Sequence, residues 1–141
     1  MGGAVDFFMG YGMAAVNTIA QGIPKITVAA ILQKDPWCLI AHPNSAIKIL
    51  ADLKGKPIYV FASVKITYWL LLEAKYGFTK AHKRPYNFNL VAFLIEKNSA
   101  QQGYITFEAF AIEKQGGFQQ VVFLLTDFGY QANATTIETK K

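Results

Sequence analysis

What this chain lacks narrows its possibilities before any motif is considered. It carries one cysteine, Cys38, and two histidines, His42 and His82, in 141 residues. A lone thiol excludes an intrachain disulfide and any multi-cysteine metal site, and its place in the apolar run "WCLIA" marks it as a small buried hydrophobe. Neither histidine has a Cys, Asp or Glu at the spacing of a metal-ligand set or a hydrolytic triad. His42 ends an apolar run before Pro43 and reads as structural. Charged residues are sparse at 16%, against 52% hydrophobic, so the chain is globular rather than disordered. Long hydrophobic runs are absent too. "WLLL" and "FLL" are cut off by polar residues, far short of the roughly 18 apolar residues of a membrane-spanning helix. No basic segment leads into an apolar stretch, so no secretory signal is read here. There is no internal repeat, phosphate loop, nucleophile elbow or dinucleotide fingerprint, and "GYGMAA" is too loose to count.

Basic residues are in excess, with 14 Lys and Arg against 9 Asp and Glu. They are dispersed along the chain. The one local cluster, Lys80, His82, Lys83 and Arg84, reads as a solvated loop, so nucleic acid is not an expected partner.

The elements alternate. "AVDFFMG" reads as a strand ending in Gly10, and "MAAVNTIAQG" as a helix with Gly22 just past its end and Pro24 beyond. "KITVAAIL" and "WCLIAH" suit strands split by the turn-like "QKDP". "LADLKGKP" makes one helical turn before a strand at Ile58 to Phe61. A helix from Val64 to Tyr76 closes at Gly77. "YNFNL" and "GYITF" read as short strands, "VAFLIEKNSAQQ" and "EAFAIEKQ" as helices, and "VVFLL" as a buried strand. Such alternation predicts an α/β fold with mostly parallel sheets joined by right-handed crossovers.

In an open parallel sheet, ligands bind beyond the carboxyl ends of strands, where unpaired amides of the next helix point outward. Two corners fit. Gly10-Tyr11-Gly12 opens the first helix, and Ser63 is expected to cap the Val64 helix, with Lys65 and Thr67 beside it. By local chemistry alone, an ordinary cap with no ligand is the reading preferred for such a corner. Facing each other, they would make a cleft.

The strings "ITVAAILQKDPWCLIAHP", "LADLKGKPIYV", "KRPYNFNL" and "EKNSAQQGYIT", followed by "FAIEKQGGF" and "VFLLTDFGY", resemble in order and spacing the periplasmic solute-binding proteins of ABC importers. The subgroup is the one that binds thiamine pyrimidine precursors, alkanesulfonates, taurine and nitrate. The resemblance covers nearly the whole chain. It implies a type II periplasmic-binding-protein fold, incomplete here, since such proteins are about twice this length with two lobes of domain size. Residues 1–54 would be part of the first lobe, 55–128 the second, and 129–141 a crossover back.

It implies a non-enzymatic role without cofactor or metal: binding a small polar solute, handing it to importer membrane subunits, in a periplasmic or extracellular location. The implied ligand residues are Gly10, Tyr11, Gly12, Ser63, Lys65 and Thr67, with Trp37, Tyr68 and Trp69 stacking on a flat heterocycle and Glu108 supplying the acidic position. The aromatic residues are also readable as core. Gln101 and Gln102 fall at a position near the family's cleft, or form an exposed amide pair. The chain departs from the pattern at Val64, at Lys65 (where an Arg is usual), at Ala109 in place of Pro, and at Ile49 in place of a capping Ser. A related branch makes a thiamine pyrimidine with a cysteine-rich motif, which a chain with Cys38 alone does not carry. Exposed sheet edge and apolar helix faces would favour a homo-oligomer, and a protein-interaction module without a solute is the remaining alternative.

Overall fold

The computed structural model describes residues 5–43 and 46–140. The chain divides into two compact units, one running up to Asp35 and resuming from Tyr130, the other spanning Pro36–Gly129. The sequence had suggested a boundary after residue 54. The chain instead divides before β3 (Trp37–Ala41), which hydrogen-bonds to β6 (Ala100–Tyr104) and β7 (Val121–Leu124) on either side.

The first unit holds β1 (Phe7–Gly10), α1 (Gly12–Ala20), β2 (Lys25–Leu32) and β8 (Ala134–Lys140). Its sheet is antiparallel, in the order β1-β8-β2. β2 covers the run KITVAAIL, whose β-branched residues favour extended backbone. A bulge between Thr27 and Ala29 shifts its register against β8. One face of this sheet carries Lys25, Phe8 and Glu138, and the buried Glu138 carboxylate pairs with the Lys25 ammonium and accepts from the Thr136 hydroxyl. Removing either partner would strand a buried charge.

The second unit adds β4 (Ile58–Val60), α2 (Tyr68–Tyr76), β5 (Lys83–Pro85), α3 (Val91–Ile95) and α4 (Glu108–Gly116). Its five strands run β5-β4-β6-β3-β7. Parallel pairing, expected for most of the strands, is confined among the described residues to β4 with its neighbours β5 and β6. β3 runs antiparallel to both β6 and β7, because the chain reaches β6 and β7 from the opposite end of the sheet. One face packs Cys38, Ile40, Leu90, Phe93, Ala109 and Ile112 into an apolar cluster. His42 Nε2–H donates to the Phe93 carbonyl at 2.8 Å, and the two rings stack with centroids 4.3 Å apart. Burial holds the His42 pKa below its ordinary value.

Local chemistry explains several ends. Gly77 takes a left-handed conformation (φ 67°) to close α2. The turn at Leu50–Leu53 lacks a capping Ser, and Asp52 replaces it from inside the turn, accepting from the Lys48 and Ile49 amides. Those two bonds lower the Asp52 pKa. "YNFNL" is not a strand but a turn in which Phe88 adopts φ 65°. The strand expected at "GYITF" begins earlier, at Ala100, and ends at Tyr104. Among the described residues no helix is long and apolar enough to cross a membrane.

Candidate functional site

The corner after β4 differs from its expected form. Ala62–Ile66 winds into a 3-10 turn, and α2 starts only at Tyr68, after a break at Thr67 (φ −127°, ψ −127°). Three β-branched residues in Val64-Lys65-Ile66-Thr67 resist a regular α-helical start. Val64 is buried and anchors the turn, while Phe61 and Val64 carbonyls accept from the Val64 and Thr67 amides. Ser63 is therefore an exposed residue inside the 3-10 turn rather than the cap of a continuous helix. The Thr67 hydroxyl donates back to the Val64 carbonyl at 3.2 Å.

Beside this turn, at the carboxyl ends of the parallel strands β4 and β5, lies a cavity of about 360 Å³. Val60, Phe61 and Ala62 form one wall, Pro85 and Tyr86 another, and Lys65, Lys83 and Arg84 bring three cationic side chains to it. Lys83 Nζ sits 5.0 Å from the Trp69 ring centroid, and Arg84 Nη1 donates to the Ala81 and Lys83 carbonyls. Such a cavity suits a small molecule with one anionic end and an apolar body.

Of the expected residues, Lys65 alone lines this cavity. Trp37 and Tyr68 come together next to it. The half-buried Trp37 indole meets Tyr104 edge-on at 4.4 Å, Tyr68 at 5.7 Å and Phe61 at 6.3 Å. Tyr68 is fully buried, and its hydroxyl donates to Gln102 Oε1 at 2.9 Å, which also accepts from the Phe61 amide at 2.8 Å. Gln101 and Gln102 are sealed in the sheet, not exposed as an amide pair. Trp69 faces the core, packed against Phe78, with its indole N–H donating to Glu73. Glu108 opens α4 and is buried. Its carboxylate accepts from the Tyr104 amide at 2.8 Å and the Tyr86 hydroxyl at 3.4 Å, and burial, with this anion second, raises the Tyr86 pKa.

Gly10, Tyr11 and Gly12 belong to the other unit. A side chain at Gly10 would collide with the Glu138 carboxylate, so the glycine makes room for the buried ion pair. Gly12 opens α1 close to the Asn133 carbonyl, and the Tyr11 hydroxyl donates to Asp35 at 3.0 Å. A second cavity of about 400 Å³ in this unit is lined mainly by apolar groups of Val5, Phe8 and Ile23, with Thr18 and Lys25.

Sequence reasoning missed Lys83, Arg84 and Tyr86 as cavity residues. It read 80–84 as a loop, because a three-residue strand is too short to show an alternating pattern. The available signal was the concentration of basic residues there. Among the described residues no cluster of three or more His, Cys, Asp and Glu could hold a metal.

The fold is shared with a solved protein. The periplasmic aliphatic sulphonate binding protein SsuA from Escherichia coli superposes with a TM-score of 0.71 at 19% identity, over 99% of this chain and 46% of its own. The L-cystine solute receptor of Neisseria gonorrhoeae, in an unliganded open conformation, gives 0.49 at 15% identity, over 99% of this chain and 56% of its own. This chain thus spans about half the length of the structures it matches. No curated protein matches the sequence. The NMT1/THI5 like family model does, across residues 1–141, and the chain belongs to the NMT1/THI5-like family.

Proposed function

We propose that this chain is a solute-binding polypeptide whose second unit holds a small organic anion in the cavity at the end of β4 and β5. The observation that carries this reading is the convergence of Lys65, Lys83 and Arg84 on a cavity otherwise walled by Val60, Phe61, Pro85 and Tyr86. A sulfonate is the matching head group: it stays ionised and offers three acceptor oxygens to cationic donors. The description of SsuA as an aliphatic sulphonate binding protein supports the same class. The aromatic group around Trp37 supports a second reading, a thiamine pyrimidine precursor stacked on a ring face. An extracytoplasmic location and delivery to importer membrane subunits follow from the same reading.

An enzymatic role for the cysteine is disfavoured. Cys38 is fully buried, its thiol donates to the Gly103 carbonyl, and burial with the Glu108 carboxylate pushes its pKa up to about 12. A thiol so placed supplies no thiolate at neutral pH.

Calorimetric titration with short alkanesulfonates and with the thiamine pyrimidine tests the assignment. Sulfonate binding that weakens about tenfold in Lys83→Ala and in Arg84→Ala is the expected result. Response to the pyrimidine alone would favour the second reading, and silence toward both would overturn the solute-binding role.

A further inference from the structure

The conformation of Phe88 is one that packing does not explain. Its backbone adopts φ 65°, in the left-handed region that a bulky side chain enters at a cost. Asn87 and Asn89 stand on either side, and asparagine enters this region far more readily than phenylalanine does. The strain nevertheless falls on the phenylalanine. Burial gives little in return, because Phe88 is 72% exposed. The turn also has its own closure, in which Asn89 Oδ1 accepts from the Val91 amide at 2.9 Å. What the conformation does produce is a group of three rings. The Phe88 centroid lies 4.6 Å from that of Phe61 and 5.8 Å from that of Tyr86, and those two are 4.9 Å apart. Phe61 and Tyr86 both line the cavity that receives Lys65, Lys83 and Arg84.

We propose that the solute carries an aromatic ring on its anionic group, and that Phe88 is the residue that selects it. The inference rests on the solute-binding reading above and names the body of the molecule. The three cations fix only its head group. The wall beside them is aromatic, and ring quadrupoles in tilted or edge-on contact favour a further aromatic ring over a saturated one of the same size. Tyr86 follows Arg84 by two residues, roughly 7 Å along extended chain. That is the reach of one benzene ring with its anionic substituent. A cavity of about 360 Å³ admits such a molecule. A strained and exposed aromatic touching both rings of the cavity wall fits a residue shaped by contact with a ligand rather than by packing.

Calorimetric titration of the full chain with benzenesulfonate, cyclohexanesulfonate and ethanesulfonate tests it. The first two share their anion and ring size and differ in aromaticity. Benzenesulfonate is expected to bind about three- to tenfold more tightly than cyclohexanesulfonate. In Phe88→Gly that ratio should fall toward one while the melting temperature does not drop, because glycine accepts the left-handed conformation without strain. Phe110→Ala removes a ring that is 67% exposed but outside the cavity lining, and should keep the ratio. Equal affinity for the two ring sulfonates, a preference that survives Phe88→Gly, or one lost in Phe110→Ala would each overturn the inference, and binding of any of the three would leave the solute-binding reading standing. A melting temperature that falls in Phe88→Gly would overturn it too, by assigning Phe88 to packing. Silence toward all three sulfonates would remove the sulfonate reading itself and this inference with it.

Discussion

Pro36–Gly129 seals Tyr68, Trp69, Leu72, Phe93 and Ile112 to 1% exposure or less, whereas the other unit exposes Phe7, Met9, Ile26, Val28 and Ile31. Both are sheets with helices attached. They differ in what holds them. The five-stranded unit has apolar groups packed on its sheet, so burial stabilises it by the usual area-proportional term. The three-stranded unit has a backbone ladder on both sides of β8 and one buried ion pair, with little apolar area removed from water. Similar secondary structure therefore does not imply similar sources of stability.

The contrast is open to attack at several points. The largest effect is expected from Phe93→Ala, which opens a cavity in the sealed cluster and should cost about 3–5 kcal/mol in urea denaturation. Next comes Glu138→Gln, which leaves the Lys25 ammonium buried without its counter-charge. A loss of about 3 kcal/mol is expected, read as faster hydrogen exchange in β1, β2 and β8, and the double replacement Lys25→Met/Glu138→Leu should recover most of it. Gly10→Ala pushes a methyl group into the same carboxylate and should cost about 1–3 kcal/mol by thermal denaturation.

A smaller effect is expected from pH. Burial favours the neutral His42 ring, so the folded chain binds that proton less well than the unfolded chain does. The stability linked to His42 is therefore complete above its ordinary value of 6.5 and declines as pH falls below it. His42→Gln should flatten that acidic slope in a series of melting curves. Smallest is Phe7→Ser, which removes an aromatic as large as Phe93 yet should shift stability of the dilute chain by no more than about 0.5 kcal/mol. A Phe7 cost matching that of Phe93 would end the distinction between the units.

Several elements were legible in the sequence because their signals are local. "KITVAAIL" is β2 to the residue, Gly77 stops α2, and "EAFAIEKQ" lies within α4. The helix break at Thr67 was missed because the apolar spacing of Val64 to Tyr76 is continuous, and three-residue hydrogen bonding in a β-branched run leaves that spacing intact. At the cavity, Lys65 was expected and Lys83, Arg84 and Tyr86 were not. Those three reach it only because β5 pairs with β4, a contact between segments more than 20 residues apart.

By itself the sequence determined the family, the α/β class, the positions of most turns and the inertness of a lone cysteine, since these depend on neighbours along the chain or on composition. Tertiary structure alone decided that β3 runs antiparallel to its partners, that Trp69 faces the core and that Gly10 yields space to Glu138. It also decided that three cations meet at one cavity. These outcomes depend on which strands lie side by side, and strand pairing between distant segments is set by packing that no short window of sequence contains.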